Sequence, residues 1–294
     1  MMKSKLTYLL AVIMILPFFA CEEDLMNEEH YKKIVYLKSG DNNIFDFPHM
    51  MNDSATTGYI TVGSGGSMPL TDDLLVTLEM DYEALETYNY RNYGDELQKY
   101  AQLLSPERFV FPSFSAYIKA GEPSATTFIP VEIDANGLSP DTTYMLPVKI
   151  KSTAGVEINE DKNFLLYRIQ LVNKYSSATS RTYKMKGSKI PEGAFVSNIT
   201  TNKTLLPLAH NQVRLFPENL TSSTSLTGIY NTAIVLVIND DNSVRVKSYK
   251  YIEIEQLDDC HYDPEKKEFK IHYKYRRPSD TKWTTVHETL TRLE

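Results

Sequence analysis

The feature that most narrows what this chain can fold into is a two-residue alternation. Phe269, Ile271, Tyr273 and Tyr275 alternate with Lys270, His272, Lys274 and Arg276. In residues 75–82, Val76, Leu78, Met80 and Tyr82 fall on one side, and Thr77, Glu79 and Asp81 on the other. That period suits an extended strand with one face buried and one face wet. Strands are likewise predicted at 34–37, 59–62, 116–120, 127–134, 144–152 and 164–172. A second series runs through 182–189, 212–216, 233–238, 244–255, 267–277 and 283–292. Turn clusters separate them, such as Ser39-Gly40-Asp41-Asn42, Asn136-Gly137, Asn239-Asp240-Asp241-Asn242 and Asp263-Pro264-Glu265-Lys266. Residues 83–104 alone have helical character.

This pattern predicts an all-β protein of two domains. Short, evenly spaced strands over 32–174 suit an Ig-like β-sandwich. The pattern breaks over 173–181. Beyond it, neighbouring antiparallel strands without helices suit an antiparallel β-barrel, a lipocalin-like meander, over 181–294. Twenty tyrosines against one tryptophan fit such sheets.

The first residues predict where the chain lives. Lys3 and Lys5 precede an apolar run over 6–19, and Ala20-Cys21 follows. A basic start, a short apolar stretch and a small residue before the cut read as a signal peptide over 1–20. The run is too short to span a bilayer, which takes roughly 20 residues. Cys21 at the cut resembles a lipobox, so Cys21 is the expected lipidation site, with 21–31 as an acidic tether. Glu22-Glu23-Asp24 behind it resembles the surface-export signal of Bacteroidetes lipoproteins, which implies an outer-membrane anchor facing outward.

Removing the leader leaves 29 basic against 38 acidic residues, a formal charge of −9. Such a surface repels phosphate backbones, which argues against nucleic acid as a partner. Cys260 would then have no partner within the chain, so no disulfide framework is expected and the core must hold the fold. Cys260 itself reads as a small packed residue.

Catalytic patterns are absent: no Gly-x-Ser-x-Gly elbow, no phosphate-binding loop, no His-Glu-x-x-His. The six histidines have no metal-ligand spacing, and no cofactor is implied. Glu253 and Glu255 share a strand face, and solvated charge explains them better than an acid/base pair. Sugar binding needs less: aromatic faces for apolar C–H surfaces, with amides, carboxylates and arginines for hydroxyls. Trp283 is the first candidate, with His287 on the same strand face, opposite Val286; the competing role for Trp283 is to plug a barrel end. Tyr249 and Tyr251 form a second platform, on the face opposite Ile252 and Ile254. Tyr88, Tyr90 and Arg91, interleaved with Asn89 and Asn92, form a third, whose competing role is in the fold. The stripe 269–275 reads as core. Asp53-Ser54-Ala55 and Asp141-Thr142-Thr143 resemble Bacteroidetes O-glycosylation motifs, with Ser54 and Thr142 as acceptors.

Several pieces occur in a telling order: Val76-Thr77-Leu78, Tyr88-Asn89, Tyr117-Ile118-Lys119-Ala120-Gly121, Tyr144-Met145-Leu146-Pro147-Val148-Lys149-Ile150 and Gly155-Val156-Glu157-Ile158-Asn159. Together they resemble the N-terminal domain of unknown function common among Bacteroidetes surface lipoproteins. That domain occurs beside SusC-like and SusD-like glycan importers and ahead of some family-18 glycosidases. Tyr183-Lys184-Met185-Lys186-Gly187 and Tyr262-Asp263-Pro264-Glu265 resemble its β-barrel companion. The resemblance implies a lipoprotein of a polysaccharide-utilisation system that binds glycan for such an importer. It implies no hydrolase: the family-18 pattern Asp-x-x-Asp-x-Asp-x-Glu is missing, and no room remains for a catalytic barrel of ~250 residues. A non-catalytic accessory subunit of the importer, or an adhesin that touches no sugar, is the alternative. Intact-mass analysis of the native protein is expected to show fatty chains on Cys21, and Cys21→Ala to release it from the membrane fraction; an unacylated native protein would refute the anchor.

Overall fold

The structure, a computed structural model, describes residues 29–122, 125–177, 182–223 and 225–293. The expected leader, Cys21 and most of the tether lie outside the described residues. The first eleven strands are β1 (Ile34–Leu37), β2 (Ile44–Met50), β3 (Thr56–Ser64), β4 (Leu74–Met80), β5 (Gln102–Leu103) and β6 (Phe109–Val110). They continue with β7 (Ser115–Ile118), β8 (Thr126–Ile133), β9 (Tyr144–Thr153), β10 (Glu157–Ile158) and β11 (Phe164–Val172). They build one sheet in the order β10-β1-β3-β8-β6 and another in the order β2-β11-β9-β4-β7, with β5 added beside β9.

Alternation makes these sheets a sandwich. Val35, Leu37, Ile60 and Val62 from one sheet and Val76, Leu78, Val148 and Ile150 from the other fill a shared core. The strand β2 was not predicted. It pairs in parallel with β11 along its whole length and forms the sheet's edge, where Pro48 costs no ladder bond on a second neighbour.

His49 of β2 points into the core, where its Nδ1 meets Thr56 Oγ1 and its Nε2 meets the Tyr167 hydroxyl, each at 2.8 Å. A Cβ on Gly58 would fall 1.9 Å from that hydroxyl, so only glycine fits opposite it. Glu29, from the end of the expected tether, accepts hydrogen bonds from Ser67 N and Oγ at 2.6 and 2.8 Å. These bonds bring its pKa down to about 2.

The remaining strands are β12 (Thr182–Pro191), β13 (Ser197–Thr204), β14 (Leu206–Ala209), β15 (Gln212–Leu215) and β16 (Ile234–Ile238). They end with β17 (Ser243–Ser248), β18 (Glu253–Gln256), β19 (Cys260–Asp263), β20 (Glu268–Arg276) and β21 (Thr284–Arg292). All pair antiparallel in the order β13-β12-β21-β20-β19-β17-β16-β15-β14, with β18 on β20. The sheet curls round one core, into which the Phe269, Ile271, Tyr273 and Tyr275 stripe packs as the alternation predicts. Cys260 is buried there, and burial pushes its thiol pKa up.

The barrel interior also holds charge. Lys203 and Glu288 are both buried and paired at 3.1 Å. Glu288 accepts a second bond, at 2.6 Å, from the backbone N–H of Glu218. Such a pair persists because each ion would be worse off alone.

Three sequence expectations are corrected. The strand predicted at 244–255 is two, β17 and β18, with residues 249–252 between them. Helical structure in 83–104 is limited to the helix Tyr82–Tyr93 and a 3-10 turn at Leu97–Lys99; Tyr82 opens the helix and is exposed instead of extending the β4 stripe. The barrel region is not free of helix, since Leu226–Thr232 is one, capped by Ser225 Oγ accepting from Gly228 N.

Sandwich and barrel meet through polar contacts. Asn173 donates to Ala209 O and Gln212 O at 2.8 and 2.9 Å, while its Oδ1 accepts from Tyr175 N and Ser176 N. Arg214, 1 % exposed, grips both carboxylate oxygens of Asp141 at 2.5 Å.

Burial lowers the His49 pKa to about 4. Its neutral form is favoured in the folded state, so stability is full above pH 6.5 and is lost as pH falls through the folded value. The loss attributable to this residue is about 3 kcal/mol. His49→Gln should flatten the decline between pH 6.5 and 4 in denaturant titrations; an unchanged slope would exclude His49 as its source.

Candidate functional site

A cleft of about 860 Å³ opens on the sandwich between the helix Tyr82–Tyr93 and the segments at 42–43 and 160–164. Local sequence dictates which helix face lines it. Asn89 is buried, and its amide both donates to Ala101 O and accepts from Ala101 N, at 2.9 and 2.8 Å. That double bond pins the helix. Ala84, Thr87, Tyr88 and Arg91, spaced three and four apart, then face the cleft. Tyr90 points elsewhere and is 67 % exposed.

The opposite wall is braced from within. Asn43 donates to Asp161 O at 2.8 Å, and Lys162 Nζ donates to Gly40 O at 3.0 Å. Asn159 Oδ1 caps the turn by accepting from Asp161 N and Lys162 N. Asn42, at φ 55°, adopts the left-handed backbone that asparagine tolerates better than most residues. Tyr88 and Phe164 form the apolar floor, packed against Leu85, Met145 and Leu166.

Polar groups ring that floor. Asp81 pairs with Lys149 at 3.7 Å. Arg91, Asn42 and Asn163 have no side-chain hydrogen bond or ion pair among the described residues, so their donors and acceptors stand available. Burial, and then a hydrogen bond with Tyr93, raises the Tyr88 pKa and keeps its hydroxyl protonated. An aromatic floor bordered by two amides and a guanidinium can take a pyranose, with ring on ring and hydroxyls on the border.

The other sequence candidates lie elsewhere. Tyr249 and Tyr251 sit in the connection between β17 and β18, not on a strand. They gather with Tyr230, each ring centroid 6.0 Å from that of Tyr230. Trp283 lies just before β21 on the barrel's outer side, as its parity with Val286 predicts. It is half-buried, with Lys274 Nζ and the Arg276 guanidinium each 5.2 Å from its ring centre. It does not plug the barrel. His287 is exposed and meets His272 edge to face at 5.1 Å. Glu253 pairs with Arg276 at 2.8 Å and Glu255 with Lys274 at 2.9 Å. Ser54 is exposed, whereas the carboxylate of Asp141 in the second glycosylation motif is held by Arg214.

The structure therefore unites Tyr88 with Arg91 in the cleft, gathers Tyr249 and Tyr251 round Tyr230 on the barrel, and leaves Trp283, His287 and Tyr90 outside both. Sequence reasoning missed Asn42, Asn163, Phe164 and Tyr230, which come from distant segments; only the turn cluster Ser39-Gly40-Asp41-Asn42 signalled a loop there. Among the described residues, no three or more of His, Cys, Asp and Glu are grouped to hold a metal ion.

The comparisons with known proteins agree with this architecture. One family profile, for an N-terminal domain, matches residues 31–157, and a second, for a C-terminal domain, matches residues 163–291. Similar solved structures include a Bacteroides ovatus protein of unknown function, 15% identical, with 88% of this chain and 94% of that one covered and a TM-score of 0.67. A multidomain Bacteroides ovatus protein including DUF1735 is 14% identical over the same shares, with a TM-score of 0.65. An auxiliary nutrient binding protein from Bacteroides thetaiotaomicron is 15% identical, with 87% and 92% covered and a TM-score of 0.57. At such identities the likeness is one of fold. No curated protein matches the chain. The chain thus carries, in order, a domain matching the N-terminal profile and a domain matching the C-terminal profile, in the fold of these Bacteroides proteins.

Proposed function

We propose that this chain captures glycan at the cell surface for a SusC/SusD-like outer-membrane importer, held to the membrane through lipid on Cys21. The observation that carries the reading is the cleft. It sets Tyr88 and Phe164 beside the available side chains of Arg91, Asn42 and Asn163. Aromatic faces with convergent polar groups are the usual make-up of a site for a small polar ligand. The auxiliary nutrient binding protein that shares this fold supports the same class.

Binding is reversible in this reading and breaks no bond. The paired carboxylates Glu253 and Glu255 are each engaged by a cation, which leaves them poorly placed for acid/base work. Capture near the importer raises the local glycan concentration, so modest affinity suffices.

The test is affinity electrophoresis and calorimetry of residues 22–294 against a panel of plant and host polysaccharides. Arg91 is exposed and has no side-chain partner among the described residues, so Arg91→Ala should leave the thermal midpoint unchanged. A lost charge-assisted hydrogen bond should weaken binding about tenfold or more. Full affinity in Arg91→Ala would remove the cleft from the site. Flat titrations against every glycan, with co-purification on the importer, would favour an accessory subunit instead.

A further inference from the structure

The barrel carries an aromatic cluster of its own. Phe216, Ile229 and Ala233 form a small separate core, against which Tyr230 and Tyr249 pack. Two backbone bonds register the cluster: Tyr249 N donates to Ala233 O at 3.2 Å, and Tyr251 N donates to Tyr230 O at 2.9 Å. The buried Arg214 guanidinium lies 4.9 Å from the centre of the Tyr249 ring, and Asp141 holds it there. The rings are thus fixed before any ligand arrives, which lowers the ordering cost of binding.

Their geometry makes a corner. The planes of Tyr230 and Tyr251 stand at 85°, and Tyr251 is 62 % exposed. Lys250 Nζ lies 5.8 Å from the Tyr230 ring centre and 5.9 Å from that of Tyr249, and Lys250 has no ion pair among the described residues. The hydroxyls of Tyr230 and Tyr251 likewise have no protein partner there. An aromatic wall and floor, two phenols and one ammonium suit a pyranose better than an aliphatic peptide surface. The ring's C–H face lies on Tyr251, its edge meets Tyr230, and its hydroxyls bond the phenols and Lys250.

We propose that Tyr230, Tyr249, Lys250 and Tyr251 form a second sugar-binding site, on the barrel, that grips the same kind of glycan as the sandwich cleft. The ligand class rests on the function proposed above, whereas the site rests on the cluster's own geometry. Two sites on one body make a long polysaccharide bivalent, and a short oligosaccharide gains nothing from the second.

The experiment compares starch, mannan, xylan and their short oligosaccharides, in affinity gels and calorimetry, on wild type, Tyr251→Ala, Arg91→Ala and the double variant. Tyr251 is exposed, and its removal should leave the thermal midpoint in place; Tyr230→Phe, which keeps the ring and loses the hydroxyl, is the second probe. Tyr251→Ala is expected to weaken binding to the retained polysaccharide about tenfold. The double variant should lose more than either single one. If Tyr251→Ala and Tyr230→Phe bind every polysaccharide as wild type does while Arg91→Ala is weakened, the barrel site is overturned and the cleft stands. If only the tyrosine variants lose binding, the barrel site stands and the cleft falls. If wild type binds none of the three polymers, neither site survives. Concentration-dependent self-association abolished by Tyr251→Ala, without glycan binding, would assign the corner to a subunit contact and overturn the proposal.

Discussion

The join between sandwich and barrel depends on a charge that cannot be left alone. Arg214 is 1 % exposed, and the two terminal nitrogens of its guanidinium are met by Asp141, from the turn between β8 and β9. Leaving one partner of a buried pair behind costs roughly 3–5 kcal/mol. The pair therefore ties two separately cored units more firmly than a surface bridge could. Asn173 adds neutral hydrogen bonds to two barrel carbonyls. The same arginine supports Tyr249, so the junction and the aromatic corner share one residue.

Much of the fold was legible because strands have a strict period. Wherever one face is buried and one is wet, as in β20, the alternation announces strand and orientation together. It failed where that contrast fails. The edge strand β2 has proline and histidine among its phenylalanines, and the histidine, not an aliphatic residue, is the fully buried one. Residues 244–247 and 252–255 alternate in one phase, which reads as a single strand, but Ser248 and Lys250 break the apolar face where residues 249–252 leave the ladder to pair with the segment 230–233. The helix Leu226–Thr232 is only seven residues long, too short to leave a helical pattern of its own.

The candidate site was half legible for a different reason. Tyr88 and Arg91 stand on one helix, so local spacing puts them together. Asn42, Asn163 and Phe164 reach the cleft only through pairing of β2 with β11, and no local pattern encodes that meeting. Trp283 was placed on the correct side by parity, yet parity could not foresee that Lys274 and Arg276 would lie over its ring. Exposure of an aromatic residue and availability of its face are separate properties.

Cys260 is sealed in the barrel, with its sulfur accepting from His272 N at 3.2 Å and its thiol held in the unreactive protonated form by burial. In a soluble form that begins after Cys21 it is the sole cysteine in the chain. A thiol introduced at any exposed position would accordingly be the one that reagents reach. This protein is thus open to single-site fluorophore or spin labelling with its native sequence otherwise intact.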